Sequence, residues 1–306
     1  MPELIETDKN GAYENQLIKS LREKADAKEG SHFDCNASVV SYKTNFPQLD
    51  YYLGYNVNIY DENDKIVDRY PSLGITAGCY VTFIGKPSTS KTTTATQIAA
   101  NIVRKFDNGT VIHYDLEQAM NYTRIQKLTK FKMSDIRKGK YILRQEKNSI
   151  SDIKKDIIDL YREKVTNPDK YKYHTGVLNE FGEEIVLFEP TVVIIDSIAT
   201  LSTAVNENDK KELKKLEEVG SQTERMRVTA EIGRFYTELL PYIRTGNIIV
   251  ISINQIKTNP QLGFLPSASE ILYLKQDETF NNQEGSINLF NCWKLLLGHQ
   301  YQMVTI

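Results

Sequence analysis

Three runs of almost uninterrupted apolar residues constrain the fold of this chain more than any other feature. They are CYVTFIG (79–85), PTVVIIDSI (190–198) and NIIVISIN (247–254). A strand with one solvated face alternates polar and apolar residues, whereas a strand of a parallel sheet is covered on both faces and is apolar throughout. Because segments with helical periodicity separate the runs, the sequence predicts a doubly wound α/β core with a mostly parallel sheet flanked by helices.

The intervals between these runs carry helix and turn patterns. Ala95, Ile98, Ala99 and Val103 lie on one face of a predicted helix that follows the first run. The sequence then predicts, in chain order, a strand TVIHYD (110–115), a helix at 121–128, a strand YIL (141–143) and a helix at 150–164. We expect a polar hairpin around 61–64, a surface insertion with a hairpin at 167–189, and a small amphipathic helix at 15–27 outside the core.

The composition of the chain mainly excludes classes of protein. The chain has 306 residues with 38 Lys and Arg against 40 Asp and Glu, so any contact with a nucleic acid would be local to particular loops. The three cysteines include no C-x-x-C pair, which argues against a zinc site or a disulfide framework. The amino terminus is polar and acidic, and no run of about 18 apolar residues occurs. We therefore expect a cytoplasmic protein without a membrane span.

An octet at the end of the first apolar run matches a phosphate-binding loop. GKPSTSKT follows G-x-x-x-x-G-K-[ST] except that Ser90 replaces the second glycine, at a free-energy cost if the backbone there needs a positive φ. The alternative is a chance match in a Ser/Thr-rich turn, but the position between a β run and an amphipathic helix favours the loop. Backbone N–H groups of such a loop hold phosphates, Lys91 would reach the β and γ phosphates, and the Thr92 hydroxyl would bind Mg²⁺. The predicted nucleotide-binding residues are Gly85, Lys86, Pro87, Ser88, Thr89, Ser90, Lys91, Thr92 and Thr93.

Two carboxylates follow other predicted strands of the same sheet. Asp196 ends the second apolar run, where it would support Mg²⁺, and the alternative is a helix-capping or turn residue. Glu117 follows the strand TVIHYD, where it would orient the attacking water, and the alternative is a solvated carboxylate. Together with the loop, they favour a nucleotide triphosphatase.

At this point the motifs TNFPQLDYYLG, HYDLEQAM, VVIIDSIATL and SINQI resemble the RecA/RadA recombinase family, especially its phage UvsX-type members, over about residues 39–279. The resemblance implies a RecA-like P-loop NTPase core that uses ATP and Mg²⁺. It assigns the catalytic glutamate to Glu117 and the γ-phosphate sensor to Gln255, beside the catalytic Lys91. It also places Asn121 and Arg124 at the adenine, although both also fit exposed helix residues.

The same resemblance implies DNA-binding loops and a filament. One loop corresponds to about 204–228, with Arg225 and Arg227 as phosphate contacts, although 210–218 also fits a solvated helical face. The other follows Gln255 at once and contains Lys257, Phe264 and Lys275; for Phe264 the alternative is packing within its own loop. The amino-terminal helix would dock on the next subunit of a helical filament, or else pack on its own core.

The implied function is an ATP-dependent recombinase that polymerises on single-stranded DNA and promotes homologous pairing with duplex DNA and strand exchange in recombination and repair. If the chain is phage-encoded, this would take place in the host cytoplasm. The alternatives are a ring-forming RecA-core ATPase or helicase, and a non-hydrolysing recombinase paralogue that binds DNA or a partner. We divide the chain into an amino-terminal segment (1–45), an ATPase core (46–279) and a tail (280–306) that departs from the family and is interpreted as a shortened or foreign end.

Overall fold

The computed structural model describes residues 40–85, 88–146, 149–179, 182–201, 220–258, 272–274 and 301–305. A first group of short elements precedes the phosphate loop. These elements are β1 (Ser41–Tyr42), α1 (Pro47–Leu53), β2 (Tyr55–Tyr60), β3 (Ile66–Ser72) and β4 (Ile75–Thr76). Strands β2 and β3 pair antiparallel, which confirms the predicted polar hairpin. The predicted helix at 15–27 lies outside the described residues.

The core elements alternate between strands and helices. They are β5 (Tyr80–Gly85), α2 (Lys91–Val103), β6 (Thr110–Asp115), α3 (Tyr122–Thr129), α4 (Met133–Asp135), a π-type turn (Ile136–Lys140), β7 (Tyr141–Arg144), α5 (Ile150–Thr166), α6 (Pro168–Tyr171), β8 (Lys172–Leu178), β9 (Glu184–Phe188), β10 (Thr191–Asp196), a 3-10 turn (Ile198–Thr200), α7 (Gly220–Thr245), β11 (Ile248–Thr258), β12 (Leu272–Leu274) and β13 (Tyr301–Thr305). Strands β8 and β9 form the hairpin predicted within the insertion.

The central sheet has the strand order β13-β5-β11-β10-β6-β7. All neighbours along this path are parallel, and β12 pairs antiparallel with β11 beside it. This confirms the predicted parallel sheet. Strand β11 lies between β5, which leads into the phosphate loop, and β10, which carries Asp196, so the three strand ends meet at one edge of the sheet.

Both faces of the sheet are buried, as the unbroken apolar runs predict. On β10, Val192 and Ile194 belong to one core cluster with Ile98 of α2. Val193 and Ile195 point to the opposite cluster, which also contains residues of α5 and α7. Because successive side chains of a strand alternate between faces, a strand covered by helices on both sides has no polar face.

Two features of the carboxyl-terminal half differ from the sequence-based prediction. The predicted loop at 204–228 is wrong for residues 220–228, since helix α7 already begins at Gly220. Its apolar positions are buried at helical spacing, at Ile232, Phe235, Leu239 and Ile243. Because this packing stabilises the second half of the helix, and helix extension is cooperative, the polar residues before it also adopt the helical conformation. The second loop does not begin directly after Gln255 either, because β11 continues to Thr258 and pairs with β12.

The tail contributes to the core sheet. Residues 301–305 form β13, which runs parallel to β5 from Tyr301 opposite Tyr80 to Thr305 opposite Ile84. No strand is predicted there from the sequence, and the division at 279 therefore separates residues that share one sheet. In the described part of the chain, no helix is both long enough and apolar enough to cross a lipid bilayer.

Candidate active site

The phosphate-loop octet lies between the end of β5 and the start of α2, which is the predicted strand–loop–helix arrangement. Ser90 caps α2 with φ 63° and ψ 19°, in the left-handed region. A glycine adopts this conformation without strain, so replacing the second glycine of the motif by Ser90 costs backbone energy. Ser88 also has a φ of 63°. Thr89 and Thr93 are half-buried, while Lys86 and Pro87 lie outside the described residues.

The Lys91 side chain turns back into the loop. Its Nζ donates to the carbonyl oxygen of Gly85 at 3.0 Å. Burial lowers the pKa of Lys91, and the carboxylates of Asp196 and Glu117 act in the opposite direction. The ammonium is thus held inside the loop, near the carboxylates of Asp196 and Glu117.

Thr92 and Asp196 meet directly. The Thr92 hydroxyl donates to Asp196 Oδ2 at 2.6 Å. Burial raises the pKa of Asp196 to about 6, and the nearby carboxylates of Glu117 and Asp115 also raise it, whereas the bond from Thr92 lowers it. A hydroxyl and a carboxylate whose charge is destabilised by burial fit Mg²⁺, which prefers oxygen ligands and compensates negative charge. Thr92 and Asp196 are therefore the residues that would hold the metal.

Glu117 is exposed just beyond the carboxyl end of β6 and is fixed by two donors. Its Oε1 accepts from Ser197 Oγ at 2.8 Å and from Gln255 Nε2 at 3.0 Å. Gln255 itself lies opposite Gly85 in the β5–β11 register. The predicted water-orienting residue and the predicted γ-phosphate sensor are thus hydrogen-bonded to each other, next to the first residue of the phosphate loop.

Asp115 organises the turn that follows β6. It is fully buried and accepts from the backbone N–H groups of Ala119 and Met120 at 3.1 and 2.8 Å. Gln145 Nε2 donates to the same carboxylate at 2.8 Å. No role for Asp115, Gln145 or Ser197 is predicted from the sequence. Asp115 could have been found as the polar end of an otherwise apolar strand, but the contacts of Gln145 and Ser197 depend on strand order.

The predicted adenine contacts lie one turn farther along the chain. Asn121 caps α3 by accepting from the Arg124 backbone N–H at 2.8 Å, and Arg124 Nη1 donates to the Ala119 carbonyl at 3.3 Å. Both side chains are exposed, and these bonds connect them to their own turn rather than to Lys91. Their role at an adenine stays a prediction.

Three of the five predicted DNA-binding residues lie in described elements. Arg225 and Arg227 lie in α7, and Lys257 lies in β11 opposite Tyr273 of β12. Phe264 and Lys275 lie outside the described residues. Contacts of these five residues with DNA therefore stay predictions.

The chain has an α/β core with a mostly parallel sheet flanked by helices, and the segment that matches a phosphate-loop motif lies between β5 and α2. No protein-family model matches it, and no curated protein matches it either. Among solved structures it is similar to the ATPase domain of another protein, with 14% sequence identity and a TM-score of 0.39. That match covers 79% of this chain and 70% of the other.

Proposed function

We propose that this protein binds ATP with Mg²⁺ and hydrolyses it at the site formed by Lys91, Thr92, Asp196 and Glu117. The observation that carries the proposal is their convergence at one sheet edge, with Thr92 bonded to Asp196 and Glu117 bonded to Gln255. Lys91, Glu117 and Asp196 come from three separate strand–loop units. If these residues had only structural roles, an ammonium and two carboxylates suited to a nucleotide would have met at one sheet edge by chance.

Each residue of the site has a distinct task. The loop backbone and Lys91 bind and orient the triphosphate, since N–H groups at a helix start and a buried ammonium both favour anions. The metal, held by Thr92 and Asp196, would offset the charge of the β and γ phosphates. Glu117 is exposed and is oriented by Ser197 and Gln255, so its second carboxylate oxygen is available to position a water and accept its proton.

The test separates binding from turnover. Glu117→Gln should retain ATP binding, measured by calorimetry, and should lose at least about 100-fold in phosphate release, since a positioned base contributes about 10²–10⁴-fold. Glu62→Gln, in the exposed turn of the β2–β3 hairpin, is the matched control and should behave as wild type. Unchanged turnover in Glu117→Gln would remove Glu117 from the mechanism, and absence of ATP uptake by wild type would remove the nucleotide site altogether.

We further propose that the hydrolysis cycle is coupled to DNA, as in a recombinase that polymerises on single-stranded DNA and promotes strand exchange with homologous duplex. The support is the bond between Gln255 and Glu117, because Gln255 belongs to β11 and the same strand continues to Lys257. A change at the γ-phosphate would therefore shift the conformation of the segment that follows Gln255. DNA bound to that segment would change the affinity of the site for ATP by the same factor.

DNA dependence has its own experiment. Phosphate release by the full chain should increase when single-stranded DNA is added, and Gln255→Ala should lose this stimulation more than it loses basal turnover. Electron microscopy with ATP and DNA should show open helical filaments. Closed hexamers would support the ring-forming ATPase instead, and ATP binding without DNA-stimulated release would support the non-hydrolysing paralogue.

A further inference from the structure

His113 is a buried imidazole that the nucleotide site does not use. It lies on β6 opposite Ile194 of β10 and has no exposed surface. Its Nδ1 forms a hydrogen bond with the Tyr141 hydroxyl at 2.7 Å. Its Nε2 has no hydrogen-bond partner and lies 3.9 Å from Asp196 Oδ2. A buried ring nitrogen left in this way costs about 1–3 kcal/mol, so its position requires an explanation.

Two buried carboxylates, those of Asp196 and Asp115, lie near the His113 ring, and the unpartnered nitrogen is close to the first of them. Ligand atoms of His113, Asp115 and Asp196, one from each residue, lie within 4.8 Å of one another. Metal–ligand bonds of about 2.1 Å in tetrahedral geometry place neighbouring ligand atoms about 3.4 Å apart. Closing the cluster around a cation therefore takes movements of about 1.4 Å or less, which side-chain torsions can supply. Asp115 would keep its backbone bonds to Ala119 and Met120 as outer support.

We propose that His113 Nε2 and the carboxylates of Asp115 and Asp196 form a second cation site, for a divalent transition metal of the Zn²⁺ type. The nitrogen ligand decides the class of metal, because Mg²⁺ takes oxygen ligands whereas Zn²⁺ and Co²⁺ readily accept imidazole. The carboxylates alone would be explained by the Mg²⁺ that accompanies a nucleotide, but the imidazole would not. This site lies on the side of Asp196 that faces β6, while Thr92 approaches from α2.

The two cation positions share one residue. Thr92 donates to Asp196 Oδ2, and His113 Nε2 is nearest to the same oxygen. A Zn²⁺ ion bound by His113 would therefore draw Asp196 away from Thr92 and weaken binding of the Mg²⁺–nucleotide, and the nucleotide would weaken Zn²⁺ binding by the same factor. Only this competition rests on the proposed function; Zn²⁺ binding by the nucleotide-free chain does not.

The first experiment measures metal binding by the full chain without nucleotide, after treatment with a chelator. Calorimetry with Zn²⁺ should show one ion that His113→Gln binds at least about 100-fold more weakly, since even outer-shell changes at metal sites cost 10–100-fold. His174→Gln is the matched control, because His174 is exposed in the β8–β9 hairpin and pairs with Glu184. Ions bound elsewhere on the chain cancel in this comparison. Equal Zn²⁺ affinity of His113→Gln and wild type would overturn the proposal.

A second measurement needs no variant at the buried position. In wild-type protein with ¹⁵N-labelled histidine rings, one equivalent of Co²⁺ should shift or broaden the His113 Nε2 resonance and leave His174 unaffected. An unperturbed His113 resonance at saturating Co²⁺ would overturn the proposal even if His113→Gln failed to fold. Since neither experiment contains ATP, a failure of the proposed hydrolysis would leave both results interpretable.

Discussion

The two ends of the central sheet bury charged and polar side chains in opposite ways. At the carboxyl ends, Asp115, Asp196 and Glu117 lie close enough for Glu117 and Asp115 both to raise the pKa of Asp196. At the amino ends, Lys164 donates to the carbonyls of Glu189 and Gly246 at 2.7 and 2.8 Å. The first arrangement leaves negative charge that a bound cation would compensate, while the second joins the residues that precede β10 and β11.

Asn247, just before β11, is a second buried polar residue at the amino ends of the strands. Its Nδ2 donates to the Tyr42 hydroxyl and to the Phe188 carbonyl, both at 2.6 Å, and Tyr42 forms a further hydrogen bond with Tyr173 at 2.7 Å. One side chain thus connects β1, the β8–β9 hairpin and the start of β11. We infer that the buried polar groups at the amino ends connect distant segments of the fold, whereas those at the carboxyl ends leave negative charge for a ligand site.

The largest effect should follow from Asp196→Asn. Removing the carboxylate weakens the metal site, so phosphate release should fall by about 100-fold or more. The same change removes a buried carboxylate whose pKa burial raises to about 6, and the nucleotide-free chain should gain up to about 3 kcal/mol in its free energy of unfolding at pH 7. Urea denaturation and a phosphate-release assay measure the two quantities.

Asp159→Asn is the control for this prediction, because Asp159 is an exposed residue of α5 that pairs with the exposed Arg162. It should change neither quantity appreciably. If Asp196→Asn lowered stability as well as turnover, the carboxyl ends would not be a strained site, and the contrast between the two ends of the sheet would be wrong.

The second effect belongs to the amino ends. Asn247→Ala removes two hydrogen bonds to buried acceptors and leaves alanine at a φ of 47°, so the free energy of unfolding should fall by about 2–4 kcal/mol. Phosphate release per folded molecule should stay unchanged. Asn56→Ala, on the exposed side of β2, should cost less than about 0.5 kcal/mol. A loss of turnover in Asn247→Ala at full folding would show that the two ends are coupled.

The third effect is a dependence on pH. Burial lowers the pKa of Lys164 from 10.5 to about 7, so between these values the unfolded chain binds a proton that the folded chain does not. The free energy of unfolding should therefore rise with pH across this window, by up to about 1.4 kcal/mol per pH unit. In Lys164→Met this contribution disappears, whereas the exposed Lys155→Met on the same helix should retain it. Parallel pH profiles for wild type and Lys164→Met would contradict a buried, neutralised lysine.

The sequence predicts the candidate-site edge of the sheet better than the amino ends for a physical reason. Apolar runs such as that before Asp196 identify parallel strands, and the carboxyl ends of parallel strands meet at one edge, so Lys91, Asp196 and Glu117 could be brought together without coordinates. The bonds of Asn247 with Tyr42 and Phe188 join residues 205 and 59 positions apart, and nothing local in either segment indicates the partner.

Two misses have a similar origin. His113 lies in the strand TVIHYD, where nothing local distinguishes it, and its proximity to Asp196 depends on β10 lying beside β6. Strand β13 has only five residues, and its pairing with β5 connects positions more than 200 residues apart. Long-range pairings of this kind are decided by the packed sheet rather than by local propensity.

The smallest effect concerns the one position where the phosphate loop departs from its motif. Ser90 has a φ of 63° and makes no capping bond from its side chain, so Ser90→Gly should relieve strain and raise the free energy of unfolding by about 0.5–1 kcal/mol, less than the strain itself because glycine also gains freedom in the unfolded chain. Ser134→Gly, at an exposed helical position in α4, should instead lower it by up to about 1 kcal/mol. Urea denaturation of both variants decides the sign. Equal losses would mean that the serine hydroxyl stabilises the loop by more than its backbone strain costs, and nucleotide affinity should then fall in Ser90→Gly as well.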